Sequence, residues 1–165
     1  MELLRETSAR GSLYIHSCPA ALKHHVEWSL QSILGNGISL SWRTQPLMAG
    51  TYRAEISWRE KTSKCAEIAT ALRSWHYVRF EVRDESDNGG DFYRFTPDLG
   101  IHRASIDGAG SILINENQIT AVLDKSFDEE ALRTALEDLM GMKWELELEP
   151  LRAVDMQERS HLQAI

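Results

Sequence analysis

No stretch of this 165-residue chain approaches the ~20 consecutive apolar residues that a membrane-spanning helix requires. The opening Met1-Glu2-Leu3-Leu4-Arg5-Glu6 places acids where a secretory leader needs a basic start and an apolar core, so a cytoplasmic protein with no membrane role is expected. Positive charge is scarce: 18 Lys and Arg stand against 25 Asp and Glu, a formal charge of −7. Phosphate backbones are bound chiefly through clustered Lys and Arg, so nucleic acid is not an expected partner. The chain has no phosphate-binding loop, no dinucleotide glycine pattern and no His/Cys spacing suited to a metal. Neither a cofactor nor a metal is expected. Only two cysteines occur, Cys18 and Cys65, too few for a structural zinc site of their own.

What is present is ordinary globular material, 42% hydrophobic and 26% charged, enough for one sizeable core. Its hydrophobic period changes in a fixed order. Leu13 to His16 alternates as a strand. Ser17 or Cys18 can cap a helix with Pro19 in its first turn, where Leu22, Val26, Leu30 and Ile33 recur at helical spacing until Gly35-Asn36-Gly37. A second strand sets Ile38, Leu40 and Trp42 against Ser39, Ser41 and Arg43, and a third sets Tyr52, Ala54, Ile56 and Trp58 against Arg53, Glu55 and Ser57. A helix over about 62–75 carries Cys65, Ile68, Ala69 and Leu72 inward, and a fourth strand carries Val78, Phe80 and Val82. Strand, helix, strand, strand, helix, strand is the ferredoxin-like β-α-β-β-α-β arrangement.

Beyond an acidic loop at 84–90, strands are predicted over 92–95, 101–106 and 112–114, the last two joined across Asp107-Gly108-Ala109-Gly110. Asn115 or Asn117 starts a short helix, and Asp128 caps a longer one ending before Gly141. Trp144, Leu146 and Leu148 alternate with Glu145, Glu147 and Glu149 as a closing strand. The fold class read from these patterns is α+β, a ferredoxin-like N-terminal half extended by further antiparallel strands and two helices. Residues 1–10 form an arm and 11–149 a single domain, with halves at 11–83 and 91–149. Residues 150–165 read as a tail, or as a helix that needs a partner.

Several strings resemble, as a set, an actinobacterial family, the domain of unknown function 3145. They are Tyr14-Ile15-His16-Ser17 before Pro19, His25-Val26-Glu27-Trp28, Arg53 through Trp58, Phe80-Glu81-Val82, and Tyr93-Arg94-Phe95-Thr96-Pro97 before Leu99-Gly100-Ile101. The resemblance covers roughly residues 10 to 145. It implies a small cytoplasmic bacterial protein and carries over no catalytic residue.

Three places invite chemistry. At the turn from the first strand into its helix, His16 and Cys18 are candidate catalytic residues: a helix N-terminus favours thiolate, and a neighbouring imidazole can take the proton. The alternative is a Ser17 cap with Cys18 as a small filler. An acylphosphatase-like activity is excluded, because no arginine lies between Leu13 and Val26 to hold phosphate. His24, His25 and Glu27 lie within one helical turn, but adjacent residues point about 100° apart and cannot easily chelate one metal. Trp28 lies off the apolar stripe and, if exposed, marks an interface.

The third place is the sheet face turned away from the helices. In the strand order 4-1-3-2 it presents Arg79 and Glu81, Tyr14 and His16, Arg53 and Glu55, Ser41 and Arg43. Base-stacking RNA binders of this topology carry aromatics on strands one and three, whereas here only Tyr14 is aromatic. The arginines can hold a carboxylate or phosphate of a small ligand, unless the C-terminal elements cover them. The candidate ligand- or partner-binding residues are therefore Tyr14, His16, Trp28, Arg43, Arg53, Glu55 and Arg79. In this topology the starts of the two helices lie at opposite ends of the sheet, so Cys18 and Cys65 should be unlinked. The leading expectation is a non-catalytic binding or regulatory module acting through a protein partner or as a homodimer. A sensor of a small anionic ligand and a small enzyme using Cys18 and His16 are the alternatives.

Overall fold

In the computed structural model, which describes residues 8–164, the chain begins with a long strand, β1 (Ala9–Pro19), followed by a 3₁₀ turn (Ala20–Leu22) and α1 (Lys23–Leu34). There follow β2 (Arg43–Thr44), β3 (Thr51–Glu60), α2 (Cys65–Leu72) and β4 (Arg79–Asp84). The remainder comprises β5 (Gly90–Thr96), β6 (Gly100–Ile106), β7 (Ile112–Leu113), α3 (Glu116–Lys125), α4 (Glu129–Met140) and α5 (Met142–Gln163). The strands form one antiparallel sheet of seven in the order β2-β3-β1-β4-β5-β6-β7, so the fold is α+β. Among the described residues no helix is long and apolar enough to cross a membrane.

Alternation in the strands sorts the sheet into two unlike faces. In register, Leu13 opposes Ile56 and Val82, and Ile15 opposes Ala54 and Phe80. These side chains pack with Val26 and Leu30 of α1 and with Cys65, Ile68, Ala69 and Leu72 of α2 into the core. Each fully buried leucine or phenylalanine there contributes roughly 1.5–3 kcal/mol. Gly11 on β1 leaves room for Trp58, whose ring occupies the space a β-carbon would take. On the other face Tyr14 opposes Glu55 and Glu81, Glu81 opposes Arg94, and Arg94 opposes His102.

Several expectations are corrected. The first four strands pair in the expected order, but the second shrinks from 38–43 to Arg43–Thr44. Side chains of α1 take its backbone groups: Glu27 Oε1 accepts from Leu40 N at 3.2 Å and Gln31 Nε2 donates to Ile38 O at 3.1 Å. Beyond β4 the sheet runs on into β5–β7. The first helix does not start at Ser17 or Cys18, because β1 continues through Pro19 with a register shift after Ile15. Its first turn has no side-chain cap. The expected arm at 1–10 falls mostly outside the described residues, and Ala9 and Arg10 belong to β1.

The largest correction concerns the C-terminus, where no closing strand forms at 144–148 and residues 150–163 take the helical alternative and not the tail. Both segments lie in one helix, α5. Leu148, Leu151 and Val154 are its buried residues, three apart as a helix face demands. Pro150 sits inside it on the exposed side, where the missing N–H leaves the Leu146 carbonyl facing solvent. Gly141, left-handed at φ 70°, turns α4 into α5. The space beside it is filled by Arg94 and His102, which donate to Met140 O at 2.7 Å and reach Leu139 O at 3.1 Å. The carbonyl end of α4 is thereby tied to β5 and β6.

Candidate functional site

The charged sheet face is not open, because α5 lies across it and answers its charges one by one. Arg79 Nε pairs with Glu147 at 2.8 Å and Arg53 Nε with Asp155 at 2.8 Å. Arg43 reaches Glu158 at 2.9 Å and Asp155 at 3.2 Å, and Glu158 also pairs with Arg53. Glu55 receives Arg159 at 2.8 Å. At the centre Glu81 accepts from His16 Nε2 at 2.7 Å and from Arg152 at 2.5 and 3.1 Å, while Arg152 and Arg94 both reach Glu145. Burial pushes the Glu81 carboxyl up, but the hydrogen bonds from His16 and Arg152 outweigh it and hold the group down at about 2. Hydrogen bonding by Glu145 in turn holds the Arg152 guanidinium firmly protonated. Arg53 and Arg94 are each only 2% exposed, so either without its partners would be a buried, uncompensated charge.

Five of the predicted binding residues thus serve the chain itself: His16, Arg43, Arg53, Glu55 and Arg79 hold α5 or its partners. The acids and arginines that answer them were missed, Arg152, Asp155, Glu158 and Arg159 because 150–165 showed no stable pattern and Glu147 because 144–149 read as a strand. Their signal was present in the helical run of Leu148, Leu151, Arg152, Asp155 and Arg159.

His16 and Cys18 do not form a nucleophile and base. His16 is buried against Glu81 on the charged face, whereas Cys18 lies in the apolar core. Burial pushes the Cys18 thiol up to about 12, far from thiolate at neutral pH. As a strand residue it also lacks the helix dipole that the sequence suggested. Ser17, the other supposed cap, instead lies 3.5 Å from Arg79 Nη1. Both cysteines are free and buried. The His24, His25 and Glu27 cluster is split: Glu27 caps Leu40 N, and His25 packs between Trp28 and Trp75 at ring distances of 5.7 and 5.1 Å. Trp28 itself is 62% exposed.

Between α5 and the sheet remains a cavity of about 310 Å³. Tyr14, Phe92 and Met156 form its apolar walls, and Arg83, Arg152 and Arg159 with Glu55, Glu81, Glu145 and Asp155 its charged ones. Tyr14 is the one predicted binding residue with a ring on this space. Among the described residues no three His, Cys, Asp or Glu side chains converge as a metal site.

A second surface was not anticipated. No residue of α3 or α4 is buried, so the Leu132, Leu136 and Leu139 stripe of α4 is only partly covered, and α4 packs mainly on α3 and α5. Asn115 and Gln118 form a reciprocal capping box and Asp128 accepts from Ala131 N at 2.7 Å, so both helices are locally well started. Several apolar residues here nevertheless face water: Ile119, Leu123 and Met140 are exposed, and Phe127 at the turn is 96% exposed. A shallow groove of about 310 Å³ runs along α4, lined by Leu132, Leu136 and Met140 between Glu129, Arg133 and Glu137.

No curated protein and no solved structure matches the chain. Residues 12–162 match the family described as Protein of unknown function (DUF3145), a span that runs from Ser12 of β1 through every later strand and most of α5. The chain belongs to the DUF3145 family.

Proposed function

We propose that this chain is a non-catalytic, cytoplasmic binding module that acts through a protein partner docked on the α3–α4 surface. The observation that carries the reading is Phe127, at the turn between two N-capped amphipathic helices, standing in solvent with Ile119 and Leu123 of α3. Clustered exposed apolar side chains of this kind mark interaction sites. The surroundings specify the partner. Between Asn115 and Met140 seven carboxylates stand against Lys125 and Arg133, so most of the chain's net negative charge sits here. A second copy of the same surface, a nucleic acid or an anionic membrane would each bring like charge against it. A basic amphipathic helix, laying its apolar side chains against Leu123 and Phe127, fits both the exposed apolar side chains and the charge. On this reading 11–149 together with α5 acts as one body, its N-terminal half a ferredoxin-like unit with a shortened second strand.

The test is calorimetric titration of the full chain with a synthetic Lys/Leu amphipathic helix and with its Glu/Leu counterpart. Binding of the basic peptide alone, weakened by salt and by the Leu123→Ser, Phe127→Ser double substitution at an unchanged melting temperature, is the expected result. Indifference to those substitutions, or self-association through this surface in sedimentation, would overturn it.

A further inference from the structure

We infer that the cavity between α5 and the charged sheet face binds a small anion with a flat apolar body, of the aromatic carboxylate class. Its volume of about 310 Å³ is at the lower end of small-molecule sites, which combine apolar walls with a few placed polar groups. Tyr14 and Phe92 supply rings and Met156 an adaptable thioether. The charges then decide the sign of the ligand. Every carboxylate on the wall is already held by at least one arginine: Glu81 by Arg152, Glu145 by Arg152 and Arg94, Asp155 by Arg53 and Arg43, Glu55 by Arg159. Arg152 is satisfied by the same pairs, and Arg159 gives its Nη2 to both oxygens of Glu55.

Arg83 is different. Its Nε is buried and has no hydrogen-bond partner among the described residues, and its nearest carboxylate, Glu85, stands at 3.7 Å. Its guanidinium lies 6.0 Å from the Tyr14 ring, at the edge of the same space. An incoming cation would have to break existing pairs, whereas an incoming carboxylate finds a guanidinium that makes no hydrogen bond among the described residues and holds Glu85 only at 3.7 Å. The body of such a ligand would then lie between the Tyr14 and Phe92 rings.

The experiment is titration of the full chain with naphthalene-2-carboxylate and with its uncharged amide, followed by calorimetry and by amide shifts of residues 14, 83 and 92. The carboxylate should bind at least about tenfold more tightly than the amide, the discrimination a charge-assisted hydrogen bond provides. Arg83→Gln should remove that preference at an unchanged melting temperature, and Met156→Trp, which fills the space, should abolish binding of both compounds. Phe127→Ser should leave binding intact, since Phe127 lines no part of the cavity. Equal affinity for acid and amide, a preference that survives Arg83→Gln, or no binding of either compound would overturn the assignment.

Discussion

Arg152 of α5 holds Glu81 of β4 through two hydrogen bonds, Nη2 to Oε1 at 2.5 Å and Nε to Oε2 at 3.1 Å. Because His16 of β1 shares the same carboxylate, three elements distant in sequence meet on one side chain. Arg152→Met breaks this junction from the accessible side. A buried pair that loses one partner costs about 3–5 kcal/mol, and the 34% exposure of Arg152 lowers that to roughly 2–3. In urea unfolding the single variant should lose this amount. The double variant Arg152→Met, Glu81→Leu should recover part of it, because the stranded charge is gone. A loss below about 0.5 kcal/mol in the single variant would mean that α5 is not anchored here.

Acid should loosen the same junction. Glu81 has an ordinary value of 4.5 and a folded value of about 2, so the folded state favours the ionised form. Its contribution is complete above the unfolded value, and it declines as the pH falls from about 5 towards 2. The difference corresponds to something on the order of 3 kcal/mol. Glu145, held down by its hydrogen bond from Arg152, shifts in the same direction and adds to the acid sensitivity. The melting temperature should therefore drop steeply below pH 5, and Glu81→Gln should flatten that slope while lowering the plateau at neutral pH. An equally steep fall in the Gln variant would place the titration elsewhere.

Both thiols should be unreactive while the protein is folded. Burial pushes Cys18 up to about 12, and burial together with nearby Asp84 raises Cys65 as well. Alkylation with iodoacetamide at pH 7, followed by mass spectrometry, should be slow at both sites in the native protein. Under non-reducing denaturing conditions it should count two free thiols per chain. Rapid native labelling of Cys18 that depends on His16 would reinstate the enzymatic alternative.

Much of this architecture is written locally and much of it is not. The ends of α3 and α4 could be read because their signals are adjacent residues: Asn115 with Gln118, Asp128 with Ala131, and Gly141 at positive φ. The core faces of β1, β3 and β4 followed from simple alternation. Trp144 to Glu149 misled because six residues alternate as well in a strand as they do along the flank of a helix. Only Leu151 and Val154, beyond a proline that ordinarily ends helices, reveal the true period. The second strand failed for a different reason, since its backbone partners are side chains of Glu27 and Gln31 and not another strand. On the charged face Arg79 and Glu81, Tyr14 and His16, Arg53 and Glu55, and Arg43 lie on the strands they were read onto, whereas Ser41 lies outside β2. Which acids answer this face was not legible, because Arg53 and Asp155 stand 102 positions apart and nothing local links them.

The placement of α5 also bears on how the chain reaches its final form. Arg43 and Glu158 are 115 positions apart, and closing so long a loop costs more chain entropy than closing the hairpins of the sheet. Any partly folded state that lacks α5 leaves the sheet with one side uncovered. Had that side been apolar, as the other is, the intermediate would expose a broad sticky surface to its neighbours. Here the waiting surface is a lattice of arginines and glutamates that water solvates well. The ion pairs under α5 therefore serve twice, as a clasp in the finished molecule and as a hydrated shield for the unfinished one.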